Sequence, residues 1–121
     1  MTRRPFESDR SDPPDHGISD HLAQGRRCVD LAAELVDRYP YEAFMNDELI
    51  QHSGSMLIIR LREVANRLPQ EFRDEHPEVP WRSIIGMGNI LAHEYAIRAD
   101  PDTVWNTLAI EFPKLEVFRN D

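Results

Sequence analysis

One stretch of the chain places proton-transfer and anion-binding groups at helical spacing. Between Pro80 and Tyr95, the residues Arg82, Gly86, Asn89 and His93 follow one another at steps of four, three and four. At 100° per residue this puts them on one side of a helix, opposite most of its apolar residues. An imidazole, with an unperturbed pKa of ~6.5, takes up and gives back a proton around neutrality. Taken alone, the stripe reads first as a solvent-facing surface with a freely titrating His93. Tyr95 turns to the apolar side, where its ring can pack and its hydroxyl reach the surface.

The other reactive side chains suggest less. His16 and His21 lie in or beside the N-terminal stretch, His52 near a turn and His76 in a connector. No pair of histidines has the His-x3-His spacing that sets two imidazoles on one helical face, so no metal site is expected. There is no phosphate-cradling glycine loop and no Gly-x-Ser-x-Gly elbow. Cys28 sits on the apolar side of a helix and reads as a small core residue. Asp47-Glu48 and Asp74-Glu75 read as solvated charge.

Five helical segments must position these groups. Ile18, Leu22, Gly25, Val29, Ala32 and Val36 recur at steps of three and four, so a long amphipathic helix is expected from Ile18 to about Tyr39, where Pro40 stops it. Tyr41 to about His52 reads as a helical turn or two leading through Ser53-Gly54. The next helix buries Leu57, Leu61, Val64, Ala65 and Leu68 and closes at Pro69. Its Arg60, Arg62 and Arg67 read as solvated residues of the exposed face. Gln70 to Pro80 reads as a polar connector. Trp81 to about Tyr95 is the fourth helix, with Gly86 and Gly88 inside it, and each interior glycine costs roughly 0.5–1 kcal/mol against alanine. Such a cost implies close helix–helix approach or the loss of a side chain. Asp100-Pro101 is a good cap for a last helix carrying Val104, Trp105, Leu108, Phe112, Leu115 and Phe118, bent or broken at Pro113. No period-two strand pattern and no repeat is found, so the expected fold is an all-α bundle of four to five helices.

Composition bounds the rest. The chain has 121 residues, a domain's length, with 14 basic against 22 acidic side chains and a net charge of −8. This balance argues against binding long nucleic acid by charge alone, without excluding a local basic site. The single cysteine excludes an intrachain disulfide, and a reducing compartment is expected. Residues 1–16 hold Pro5, Pro13 and Pro14 among Arg, Asp and Ser and are expected to form a disordered tail before a helical domain over 17–121. They lack the apolar run of a signal peptide. The longest apolar run elsewhere, Met56 to Ile59, is too short to cross a bilayer, so no membrane association and a cytoplasmic location are expected.

The run Pro80-Trp81-Arg82-Ser83-Ile84-Ile85-Gly86-Met87-Gly88-Asn89-Ile90-Leu91-Ala92-His93-Glu94-Tyr95 resembles the signature helix of HepT-like proteins, the small ribonuclease toxins of the HEPN superfamily. The resemblance extends from about residue 20 to 118 and includes Tyr41-Glu42-Ala43-Phe44, Glu63 to Leu68, and Val104-Trp105 leading to Phe112-Pro113. It implies a metal-independent endoribonuclease without cofactor. It implies a homodimer in which the signature helices of two copies face each other across an RNA cleft, and it gives Arg60, Arg62 and Arg67 a second reading as contacts to RNA. It also implies the toxin role in a type VII-like HEPN/MNT toxin–antitoxin module, whose MNT-type nucleotidyltransferase neutralises it by transferring AMP to Tyr95.

The family signature is an arginine, four residues, a histidine, one residue and a tyrosine. His93 and Tyr95 match it, with His93 as the implied catalytic group and Asn89, one turn before it, implied to position phosphate or orient the ring, whereas Gly88 stands at the position of the arginine that would hold the scissile phosphate. Removing one such electrostatic donor costs typically about 10²–10³ in rate. The expectation is therefore a weakened or inactive member unless another arginine substitutes. Arg82 is the nearest candidate on the His93 side, although eleven residues along the helix place its backbone roughly 16 Å away. The alternative is a catalytically inactive dimeric subunit that binds the nucleotidyltransferase. A helical interaction module unconnected with nucleotides has only composition to support it.

Overall fold

A computed structural model describes residues 17–93 and 100–119. Residues 1–16, where the disordered tail is expected, and Tyr95 lie outside the described residues. The described chain forms an all-α bundle without strands. Helix α1 spans Ile18–Arg38, α2 Tyr41–Met45, α3 Glu48–Arg67, α4 Gln70–Glu75, α5 Trp81–Ala92 and α6 Pro101–Asn106. A wide helical turn over Thr107–Glu111 and two tight ones, Phe112–Lys114 and Glu116–Phe118, complete it.

Three long helices build the scaffold, with α3 packed against both α1 and α5. The apolar stripe of α1 delivers Cys28, Val29 and Ala32 to the core, and that of α3 delivers Leu57, Ile58, Leu61, Val64 and Ala65. Apolar residues repeating every three or four positions have this outcome, since burying that face is the main driving force for docking. The last segment contributes Val104, Leu108, Phe112, Leu115 and Phe118, all buried. Pro113 sits in the first tight turn, where the wide turn ends.

Two boundaries ahead of α5 differ from the sequence reading. The break expected at Ser53-Gly54 is absent, and α3 runs unbroken from Glu48 with Asp47 as its cap, the carboxylate accepting from the N–H groups of Leu49 and Ile50 at 3.0 and 3.3 Å. Gly54 is the point of close approach inside this helix. A methyl group there would lie 2.7 Å from Leu108 Cδ1 and 3.2 Å from the Phe44 ring. The connector after Pro69 contains a short helix, α4, tied to the start of α5. The Trp81 indole N–H donates to the carbonyls of Arg73 and His76, at 3.1 and 3.0 Å, and Phe72 stacks on His76 with ring centres 4.2 Å apart.

Candidate active site

Helix α5 buries Ile84, Gly88 and Leu91 against the bundle and leaves Arg82, Asn89 and His93 exposed. The helix therefore presents the polar stripe read from the spacing to solvent, with Gly86 half-buried on its margin. It ends sooner than expected. His93 is its last capping residue, with an extended backbone at φ −97°, ψ −170°, so the chain leaves the helix at the histidine. Asn89 precedes it by one turn, which sets the two side chains about 5–6 Å apart at Cβ.

The two glycines of α5 have different surroundings. Around Gly86 there is open space, and an added Cβ would meet nothing within 4 Å. Gly88 faces α3, where an added Cβ would overlap Arg62 Cβ and lie 2.9 Å from both Cγ and Cδ of the same side chain. Close approach thus explains Gly88 and leaves Gly86 without a packing reason.

Arg62 is consequently not a solvated residue of α3. It is half-buried, its stem crosses Gly88, and its Nη1 donates to Asn89 Oδ1 at 3.0 Å. Its Nε is buried with no hydrogen-bond partner. No carboxylate pairs with it among the described residues, whereas Arg38 and Lys114 pair with Glu34 and Glu111. In sequence Arg62 is indistinguishable from Arg60 and Arg67, which are both exposed. The one signal that could have separated it was the glycine on the neighbouring helix, whose missing side chain leaves room for a longer one.

Arg82 lies at the other end of α5. It lines an open cleft of about 580 Å³ together with Gln70, Arg73, Asp74, Pro77 and Trp81, at the junction of α4 and α5. The structure does not bring Arg82 to His93. No group of three or more metal-ligating side chains occurs among the described residues.

The family model described as Ribonuclease HepT-like matches residues 26–121. The chain belongs to the HepT-like ribonuclease family. The match spans more than four fifths of each of three relatives. The chain is 34% identical over 97 residues to "Putative RNase TTE0752" of Caldanaerobacter subterraneus subsp. tengcongensis, covering 80% of this chain and 83% of that protein. It is 29% identical over 103 residues to "Putative RNase MJ1216" of Methanocaldococcus jannaschii, covering 85% and 84%. It is 27% identical over 97 residues to "Probable ribonuclease HepT" of Thermococcus cleftensis, covering 80% and 87%. No solved structure gives a significant match. The matched residues of this HepT-like chain include all of α3, α5 and α6, hence the exposed Asn89–His93 turn and the arginine that reaches it.

Proposed function

We propose that this chain is a metal-independent endoribonuclease, the toxin subunit of a HEPN/MNT module, with His93 as its proton-transfer group. The observation that carries the reading is the exposed pairing of Asn89 and His93 one turn apart at the end of α5, in a chain that belongs to a ribonuclease family. A 2′-hydroxyl of RNA attacks the adjacent phosphorus, the new P–O2′ bond forms and the P–O5′ bond breaks. The proton leaves the 2′-oxygen and one is delivered to the 5′-oxygen, giving a 2′,3′-cyclic phosphate and a 5′-hydroxyl. An imidazole is suited to either transfer at neutral pH. Asn89 is placed to orient the ring or the phosphate.

Such a site works best when a second copy closes it. Ile90, next to Asn89, is an apolar residue 53% exposed on the same helix, which supports a homodimer in which the two copies of α5 face each other. The reading places Tyr95 as the acceptor of AMP from a nucleotidyltransferase partner, because a bulky anion two residues from His93 would obstruct the cleft and repel RNA phosphate. No described helix is long and apolar enough to cross a membrane.

Induced expression tests the reading. The chain is expected to arrest growth and degrade RNA, His93→Ala to do neither, and co-expression of the cognate nucleotidyltransferase to relieve the arrest with a gain of AMP on the Tyr95 peptide. Absence of arrest, with the same partner complex still formed, would favour a binding subunit that Gly88 and the acidic balance also suit.

A further inference from the structure

The arginine that reaches the signature helix comes from a neighbouring helix and lies across a glycine. We propose that Arg62 of α3 is the phosphate-holding group of this site, and that Gly88 is the residue whose lack of a side chain admits it. The proposal rests on the ribonuclease reading for the reaction it serves.

Space is the first argument. A Cβ at position 88 would overlap Arg62 Cβ and sit 2.9 Å from Cγ and Cδ. These are the carbons nearest the α3 backbone and not the flexible end of the side chain. The volume between α3 and α5 holds one stem, and in this chain it belongs to Arg62. Direction is the second. The hydrogen bond from Nη1 to Asn89 Oδ1, at 3.0 Å, fixes the guanidinium at the turn that leads to His93. Asn89 and His93 are four residues apart, about 6 Å along the helix axis, so a phosphate held at this turn is on the His93 side of α5.

Unused bonding capacity is the third argument. A guanidinium has five N–H donors. Asn89 takes one, Nε is buried without a partner, and no carboxylate neutralises the charge among the described residues. The buried Nε is out of reach, but the half-exposed Nη groups keep donors that water alone would otherwise satisfy, and a phosphodiester can accept a bidentate pair of charge-assisted bonds from them. Asn89 then acts as a positioning residue, setting the rotation of the fork. Arg82 starts about 10 Å from Asn89 along α5 and lines the cleft at the junction with α4, so it is not the group that meets Asn89.

The exchange has a signature that a simple loss of arginine lacks. If Gly88 merely marked a disarmed site, Gly88→Arg alone would raise activity. If Arg62 does the work, Gly88→Arg forces two stems into one space and lowers activity, whereas Gly88→Arg restores it when Arg62→Ala has emptied that space.

The test uses the purified full chain with a fluorescein-labelled single-stranded RNA for cleavage and its all-2′-O-methyl analogue for binding. Arg62→Met keeps the aliphatic stem over Gly88 and removes the charge, Arg62→Lys keeps a charge without the fork, and Lys114→Ala serves as control. Arg62→Met is expected to cleave about 10²–10³-fold more slowly with an unchanged melting temperature, Arg62→Lys to recover part of the rate, and free guanidinium ion to rescue Arg62→Ala. Cleavage by Arg62→Met at the original rate, while His93→Ala is inactive, overturns the proposal and leaves the ribonuclease reading intact. If the original chain cleaves nothing, the reading fails separately and the analogue decides. Binding weakened tenfold or more by Arg62→Met, but not by Lys114→Ala, keeps Arg62 as a phosphate ligand, and equal binding by both overturns that too.

Discussion

Cys28 shows how a reactive side chain is made inert by placement. It lies in the core, 1% exposed, and burial pushes its thiol up, with the Arg60 charge only partly opposing the effect. Because the thiolate is the nucleophile, a raised value leaves the group protonated at neutral pH and further upward before it reacts. Iodoacetamide at pH 8 is therefore expected to label the folded chain at least tenfold more slowly than the urea-unfolded chain. Equal rates would place Cys28 outside the core. His93 is the contrasting case, a titratable group exposed at the end of α5 where substrate can reach it. Arg62 falls between the two, and its half-burial separates a site residue from the surface arginines beside it in sequence.

At the level of the helix, α5 carries two glycines whose replacement has opposite consequences. Gly86→Ala adds a methyl group to open space and is expected to stabilise the chain by about 0.5–1 kcal/mol, the helix preference for alanine. Gly88→Ala gains the same preference but drives Cβ into the stem of Arg62, and overpacking of this kind costs about 1–3 kcal/mol, so a net loss is expected. Urea denaturation of the pair checks the contrast, and stabilisation by both would contradict the packing of α3 on α5. Much of the scaffold was legible because local rules and packing agree. The stripe from Ile18 with Pro40 bounds α1, and Asp100-Pro101 opens α6 with the Asp100 carboxylate accepting from the Asp102 N–H at 3.1 Å. Ser53-Gly54 misled because its glycine answers to Phe44 and Leu108, which are distant in sequence. The end of α5 at Ala92 has no glycine or proline to announce it. The helical spacing of Asn89 and His93 was readable within one helix, but the approach of Arg62 spans 27 residues and depends on how two helices dock.

For the molecule as a whole, a net charge of −8 must be reconciled with a polyanionic substrate. A few well-placed donors can do so for one or two phosphates, and each phosphate neutralised on single-stranded RNA adds about 0.7 to the salt slope of binding. The arrangement suits short, local recognition of one or two phosphates over wrapping of a long strand. The scaffold of α1, α3 and α5 serves this by holding the Asn89–His93 turn at the surface and delivering one guanidinium to it from behind. The most direct measurement is end-group analysis of RNA cleaved by the purified chain in excess EDTA, with a matching strand carrying a single 2′-deoxy nucleotide at the cleaved position. The account predicts 2′,3′-cyclic phosphate and 5′-hydroxyl ends that persist without metal and vanish in His93→Ala and in the 2′-deoxy strand. Cleavage of the 2′-deoxy strand, or cleavage undiminished in His93→Ala, would contradict it.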